Sequence, residues 1–223
     1  MTFSLIARCP ATRQFGMVIA SSSPAVAARC VHLRAGVGAV ASQNITDPGL
    51  GPVLLDLLAK GASAQSALDK VTQTHPHIAY RQLLVIDANG QTATHSGQHI
   101  LGLWGQASGT DCASGGNLLA NTNVPAAMIA AFMATTGHLG TRLMTALTAG
   151  LDAGGEAGPV HSAGLSIVDT LDWPLVDLRV DWSKTPVADL ERIWQIYQPQ
   201  MADYVQRAVN PAAAPRYGVP GDV

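Results

Sequence analysis

Thr2 is the residue near the start of this chain with the clearest route to covalent chemistry. A small second residue lets aminopeptidases remove Met1, which would leave Thr2 with a free α-amine. That amine has an ordinary pKa of about 7.7–8.0. It can take the proton of its own hydroxyl and make the oxygen a nucleophile. Other side chains of suitable type are spread along the sequence. Ser22, after the second expected strand, could hydrogen-bond the amine or hydroxyl. His32 could relay a proton. Gln43, Asn44 and Asn117 are amides at strand ends where a tetrahedral oxyanion needs donors. Arg34 could bind a substrate carboxylate through paired N–H groups, and Arg81 could reach the same cleft. Each has a plain structural alternative: a turn serine, a core or edge histidine, loop-capping amides, a surface ion pair, a brace.

The elements that must position them follow from periodicity. Residues 2–8 and Gln14–Ala20 read as two strands joined by the turn Cys9–Arg13, and Gly36–Gln43 as a third strand rich in Gly, Ala and Val. Leu50–Lys60 and Ala64–Thr72 form a helical pair, the second capped by Ser63. Strand candidates follow at Gln82–Asp87, Gln91–Ser96, Leu101–Ser108 and Asp111–Ala113, with Ala88-Asn89-Gly90 as a hairpin turn. A second helical pair spans Val124–Thr135 and Leu139–Ala153. Strands at Ser162–Asp169 and Val176–Asp181 precede a tail with helices at Val187–Tyr197 and Ala202–Ala208 and a Pro-rich extended arm, Asn210–Val223. Helices in pairs, rather than singly between strands, disfavour a parallel sheet. The expected fold class is α+β, a four-layer αββα sandwich of two stacked antiparallel sheets with a C-terminal helical tail. The sandwich is expected over residues 1–182, and 183–223 should pack on it or on a partner subunit.

Composition narrows the function. The chain has 223 residues, 48% apolar and 13% charged, with a net charge of −2 and three lysines, Lys60, Lys70 and Lys184. No basic cluster offers phosphate contacts, which disfavours nucleic acid. No apolar run approaches the roughly 18 residues of a membrane span. Three widely spaced cysteines, Cys9, Cys30 and Cys112, and the absence of a secretion signal point to reduced thiols in the cytoplasm. The pair His75-Pro76-His77 has no third ligand nearby, so no metal is expected. Low charge and the arm lead us to expect a homodimer or higher homo-oligomer.

The order of elements, opened by a Thr at position 2, resembles the N-terminal-nucleophile (Ntn) hydrolase fold of proteasome β-subunits. Local stretches resemble one family assigned to that fold, DUF1028. They are residues 1–8 (MTFSLIAR), 34–43 (RAGVGAVASQ), Arg81-Gln82-Leu83 with Asp87, His95-Ser96-Gly97, Gly116-Asn117-Leu118-Leu119, Asp177-Leu178-Arg179-Val180-Asp181 and the tail from Asn210-Pro211 to Asp222. The resemblance implies an amidohydrolase that cleaves a C–N bond of a small substrate through Thr2, without cofactor. Arg34 adds the expectation of a carboxylate on that substrate. Two departures stand out. Proteasome-type sites use a lysine near the Thr, and residues 29–34 (RCVHLR) have none; His32 or Arg34 would have to supply its charge. The run Ser21-Ser22-Ser23 also differs from the family's single serine. The rivals are a non-catalytic small-molecule-binding or assembly protein on the same fold, which retention of Met1 would favour, and a serine hydrolase using Ser22 with His32, which lacks a nucleophile elbow.

Overall fold

The computed structural model describes residues 2–220, so Met1 and the end of the expected arm, residues 221–223, lie outside the described residues. Strand β1, Thr2–Arg8, lies at the centre of the fold. Thr2, Ser4 and Ile6 face one way, and Phe3, Leu5 and Ala7 the other, yet all six are buried. A strand covered on both faces keeps apolar residues on both, which explains why Ile6 breaks the polar half of the alternation.

β1 pairs antiparallel with β2 (Phe15–Ser21) on one side and with β8 (Cys112–Asn117) on the other. With β7 (Gly105–Gly109), β9 (Ser162–Val168) and β10 (Val176–Val180) they form a six-stranded sheet, in the order β10-β9-β2-β1-β8-β7. A four-stranded sheet holds β3 (Val31–Arg34), β4 (Gly38–Asn44), β5 (Arg81–Asp87) and β6 (Thr92–Ser96) in sequence order. The two stack through Ile6, Met17, Ile19, Ala39, Ala41, Leu84, Ile86 and Ala113. The small residues of β4 bring the sheets close enough for polar side chains to meet across the gap.

Helices α2 (Leu50–Ala59) and α3 (Ala64–Thr74) cover the outer face of the smaller sheet. Ser63 caps α3, its Oγ accepting from the Ser66 N–H at 3.2 Å. Helices α4 (Val124–Ala134) and α5 (Leu139–Asp152) cover the larger sheet. The fold is thus the αββα sandwich expected from the order of elements. Helix α6 (Pro186–Tyr197) adds Val187, Leu190 and Trp194 to the core beneath α5. Gly140 makes room for Trp194: a Cβ there would sit 2.5 Å from its ring.

Residues 27–30 form a short helix, α1, before β3. Two local expectations are corrected. The strand expected at Leu101–Ser108 begins only at Gly105, because residues 97–104 form a loop whose Leu101 and Leu103 carbonyls accept from the N–H groups of Leu118 and Leu119. The described part of the arm folds back on α7 (Met201–Val209) instead of extending. Arg207 lies 3.9 Å from the Tyr217 ring centroid and donates to the carbonyls of Pro215 and Arg216. Among the described residues, no helix is long and apolar enough to cross a membrane.

Candidate functional site

The strand registers place a row of polar side chains on the inner face of the larger sheet. Thr2 is opposite Asn117 on β8. On its other side Phe3 is opposite Ala20, so the next pair across β1 and β2 is Thr2 and Ser21. Ser21 is in turn opposite Ser162 on β9. All four are buried, Thr2 at 5% exposure and the other three at 0%.

Beneath this row runs an amide network between the sheets. Gln82 on β5 donates through Nε2 to the Gly116 carbonyl at 3.1 Å, the Gly105 carbonyl at 3.3 Å and Ser96 Oγ at 3.1 Å. Carbonyls only accept, so the orientation of the Gln82 amide is fixed and its Oε1 must be the acceptor. It accepts from Gln43 Nε2 at 2.9 Å and Asn117 Nδ2 at 3.2 Å. Gln43 Oε1 then accepts from Ser4 Oγ at 2.7 Å. Gly115 packs directly beneath these amides: a Cβ there would press on Leu84 Cδ2 at 3.0 Å and touch Gln43 Nε2 and the Gln82 carboxamide carbon at an ordinary 3.6 Å. Asn117 Oδ1 is thereby left as an acceptor beside Thr2. It is buried and has no hydrogen-bond partner among the described residues. An unpaired buried acceptor costs about 1–3 kcal/mol, so a donor brought to this atom is worth that much.

The strands carrying these amides end abruptly. Asn44, after Gln43, has φ 74°, and Leu118, after Asn117, has φ 50°. Left-handed backbone costs a non-glycine residue roughly 1–2 kcal/mol, and such strain concentrates at functional sites. Asn44 is held by its own side chain: Nδ2 donates to the Tyr80 carbonyl at 2.6 Å and Oδ1 accepts from the Leu101 N–H.

Sequence reasoning passed over one residue of this site, Glu156. β1 lies between β8 and β2, and beyond Thr2 its lane is taken over by residues 155–157. Ala120 donates to the Gly155 carbonyl, Ala157 to that of Leu118, and Leu119 and Glu156 form a bridge. On the opposite side the Ser22 N–H donates to both Glu156 carboxylate oxygens, at 3.0 and 3.2 Å. The buried carboxyl therefore stands at the head of β1, on the nitrogen side of Thr2. Burial pushes its pKa up to about 6, against the hydrogen bonds from Ser22. Glu156 lies in a Gly-rich break with no periodic neighbours, and its only sequence signal is rarity: the chain holds two glutamates, Glu156 and Glu191.

This shift has a consequence for stability. A folded-state pKa above the ordinary 4.5 means that ionising Glu156 costs folding energy. The cost is absent below about pH 4.5, grows through the interval up to about 6, and is fully present above it. Its size is about 2 kcal/mol. Urea unfolding of Glu156→Gln and wild type across this range should show the variant gaining on the wild type as pH rises. A gap that does not change with pH would mean the carboxyl is not held in this way.

The remaining residues singled out in the sequence lie apart from Thr2 or are bound elsewhere. Ser22 serves Glu156 through its N–H, and Ser21 is the serine beside Thr2. Arg81 donates to the Ile45 carbonyl and lies 3.9 Å from Asp47. Asp47 also pairs with His75 at 3.0 Å. Arg34 is opposite Gly38, five residues along β4 from Gln43 and so roughly 16 Å away at about 3.3 Å per residue. It pairs with Asp56 at 2.9 Å. His32, opposite Val40, lines the same distant cavity as Arg34, of about 420 Å³.

Comparison with known proteins bears on the family and the fold. The family model described as "Family of unknown function (DUF1028)" matches residues 2–190. The crystal structure of protein SPO2555 from Silicibacter pomeroyi, of the same family model, is 29% identical, with a TM-score of 0.86 over 92% of this chain and 90% of that one. Anbu (ancestral beta-subunit) from Yersinia bercovieri is 12% identical, with a TM-score of 0.42 over 92% of this chain and 97% of that one. An Anbu mutant from Hyphomicrobium sp. strain MC1 is 10% identical, with a TM-score of 0.44 over 90% and 96%. Among curated proteins there is no match.

Proposed function

Because the chain belongs to the DUF1028 family, whose function is unknown, we propose its activity from the groups gathered at Thr2: hydrolysis of a carbon–nitrogen bond in a small amide, with the Thr2 hydroxyl as nucleophile. The observation that carries this reading is the convergence on one buried residue of an unsatisfied acceptor, Asn117 Oδ1, and a carboxyl, Glu156, at its nitrogen end.

Opening the Met1–Thr2 bond frees the amine. The amine takes the hydroxyl proton as Oγ bonds to the amide carbon, and it gives that proton to the departing nitrogen as the C–N bond breaks. Water then hydrolyses the Thr2 ester, with the same amine as base. Asn117 Oδ1 accepts an N–H from the Thr2 amine or the substrate and fixes its orientation. Glu156 replaces the proteasome-type lysine with a charge of opposite sign. A carboxylate beside an ammonium raises the ammonium pKa, so the base form of Thr2 accumulates only at higher pH. Glu156→Gln should therefore move the alkaline-rising limb of kcat/KM to lower pH; a limb that stays in place would remove Glu156 from this role. With Arg34 and Arg81 engaged elsewhere, a substrate carboxylate has no support from this site.

One observation favours a second reading, a binding protein on the same fold: the cavities of about 420 and 310 Å³ lie along β3 and not at Thr2. Intact mass separates the two. Protein lacking one methionine and cleaving members of a small-amide panel supports the hydrolase; protein that retains Met1 in its native host has a blocked base and supports binding.

A further inference from the structure

The strand ends around Thr2 open on one rim of the sandwich. β1 starts there, β4 and β8 end there at Asn44 and Asn117, β5 starts there after Tyr80, and residues 97–104 run along it into β7. Five large apolar side chains stand out on this rim, Ile45, Tyr80, Leu101, Leu103 and Trp104, each at least 42% exposed. Apolar residues exposed singly are ordinary, but a cluster marks a surface that something covers.

This collar is held in place. The Asn44 side chain spends both ends of its amide on it: Nδ2 donates to the Tyr80 carbonyl at 2.6 Å, and Oδ1 accepts from the Leu101 N–H at 3.3 Å. The carbonyls of Leu101 and Leu103 accept from Leu118 and Leu119, the residues that follow Asn117. Gly102 seats the loop on Leu118, whose side chain would be 2.6 Å from a Cβ there. Residues 97–104 contain no Asp, Glu, Lys or Arg. Arg81, at the base of the rim, is engaged by the Ile45 carbonyl and Asp47. The collar therefore offers apolar surface rather than charge.

Its position relates it to the chemistry. Thr2 is paired with Asn117 on one side of β8, and Leu101 with Leu118 on the other. The collar thus begins about two strand spacings, roughly 10 Å, from Thr2. A leaving nitrogen must reach the Thr2 amine for its proton, at the end where Glu156 stands. The acyl group then extends the other way, over Asn117 and toward Leu101. We propose that the collar receives the aliphatic chain of the substrate, which makes the substrate class amides of medium-chain fatty acids. The inference rests on the reading of Thr2 as nucleophile.

The test uses acetamide, butyramide and octanamide with protein freed of Met1. Isothermal titration of the Thr2→Ala variant reads binding without turnover, and ammonia release by the wild type reads hydrolysis. Octanamide should saturate one site. Each half-covered methylene is worth about twofold, so octanamide should exceed acetamide roughly fiftyfold in both affinity and kcat/KM. Leu103→Asp places a charge against the chain and should weaken octanamide about tenfold without lowering Tm; Trp104→Gln should act in the same direction. Ile196→Ser, at an equally exposed position on α6, should change neither. Chain-dependent binding with no ammonia released would support the collar and remove the Thr2 chemistry alone. The proposal is overturned if octanamide gives no saturable heat, or if turnover is equal for all three amides. It is also overturned if sedimentation shows a dimer that Leu103→Asp dissociates while octanamide binding stays unchanged, which would make the collar an interface between copies of the chain.

Discussion

Thr2→Ala should reduce amide turnover by about a thousandfold or more, while Thr2→Ser should keep a measurable fraction. Removing a covalent nucleophile eliminates the acyl intermediate, and what survives is the residual effect of binding and polarisation. Serine preserves the oxygen and the amine and loses only the methyl group. The fold should tolerate both changes, because Thr2 is at the end of β1 and the core of that strand is Phe3, Leu5 and Ile6. A cost of about 1 kcal/mol is expected from trimming one buried side chain. Steady-state kinetics beside a thermal melt check both parts. Turnover that survives in the alanine variant would remove Thr2 from the chemistry.

Gln82→Leu should be among the most destabilising single substitutions in the chain, at roughly 4 kcal/mol. The leucine fits the volume but removes the group that holds Gln43, Asn117, Ser96 and two backbone carbonyls together. Each buried polar group left unpaired costs about 1–3 kcal/mol, offset in part by the apolar gain. For a chain of this size each kcal/mol moves Tm by about 2–4 °C, so a fall of roughly 8–16 °C is expected. Activity should fall as well, because Asn117 loses the contact that fixes its amide. A Tm within about 2 °C of wild type would mean the network is not a unit.

The layers were legible in the sequence because their signals are local. The Leu50–Leu58 stripe, the Ser63 cap and the Ala88-Asn89-Gly90 turn each act within a few residues, and helices in pairs exclude most other arrangements. Thr2 and Asn117 were legible as types, and the register brings them together. Glu156 was not, because its importance comes only from the strand order: with β1 between β8 and β2, the segment that continues β1's lane faces Thr2, and that segment is far away in sequence. Gln82 was legible only as the first residue of a strand; that it orients two other amides depends on which faces the two sheets turn to each other. His32 and Arg34 looked close to the chemistry because their segment is where a proteasome-type lysine would fall, but antiparallel pairing carries them toward the opposite end of β4. Residues 101–104 read as the start of a strand, yet they lie in a loop held by bonds to residues 118 and 119.

The most direct test of the Thr2 chemistry is to treat the full-length protein with p-nitrophenyl acetate, a small activated ester, and locate the acetyl group by peptide mass spectrometry. Protein freed of Met1 should become acetylated at Thr2, and protein retaining Met1 should not, since its base is tied up in an amide. Equal labelling of both forms, or labelling of the freed protein only at other residues, would contradict a Thr2 nucleophile activated by its own amine.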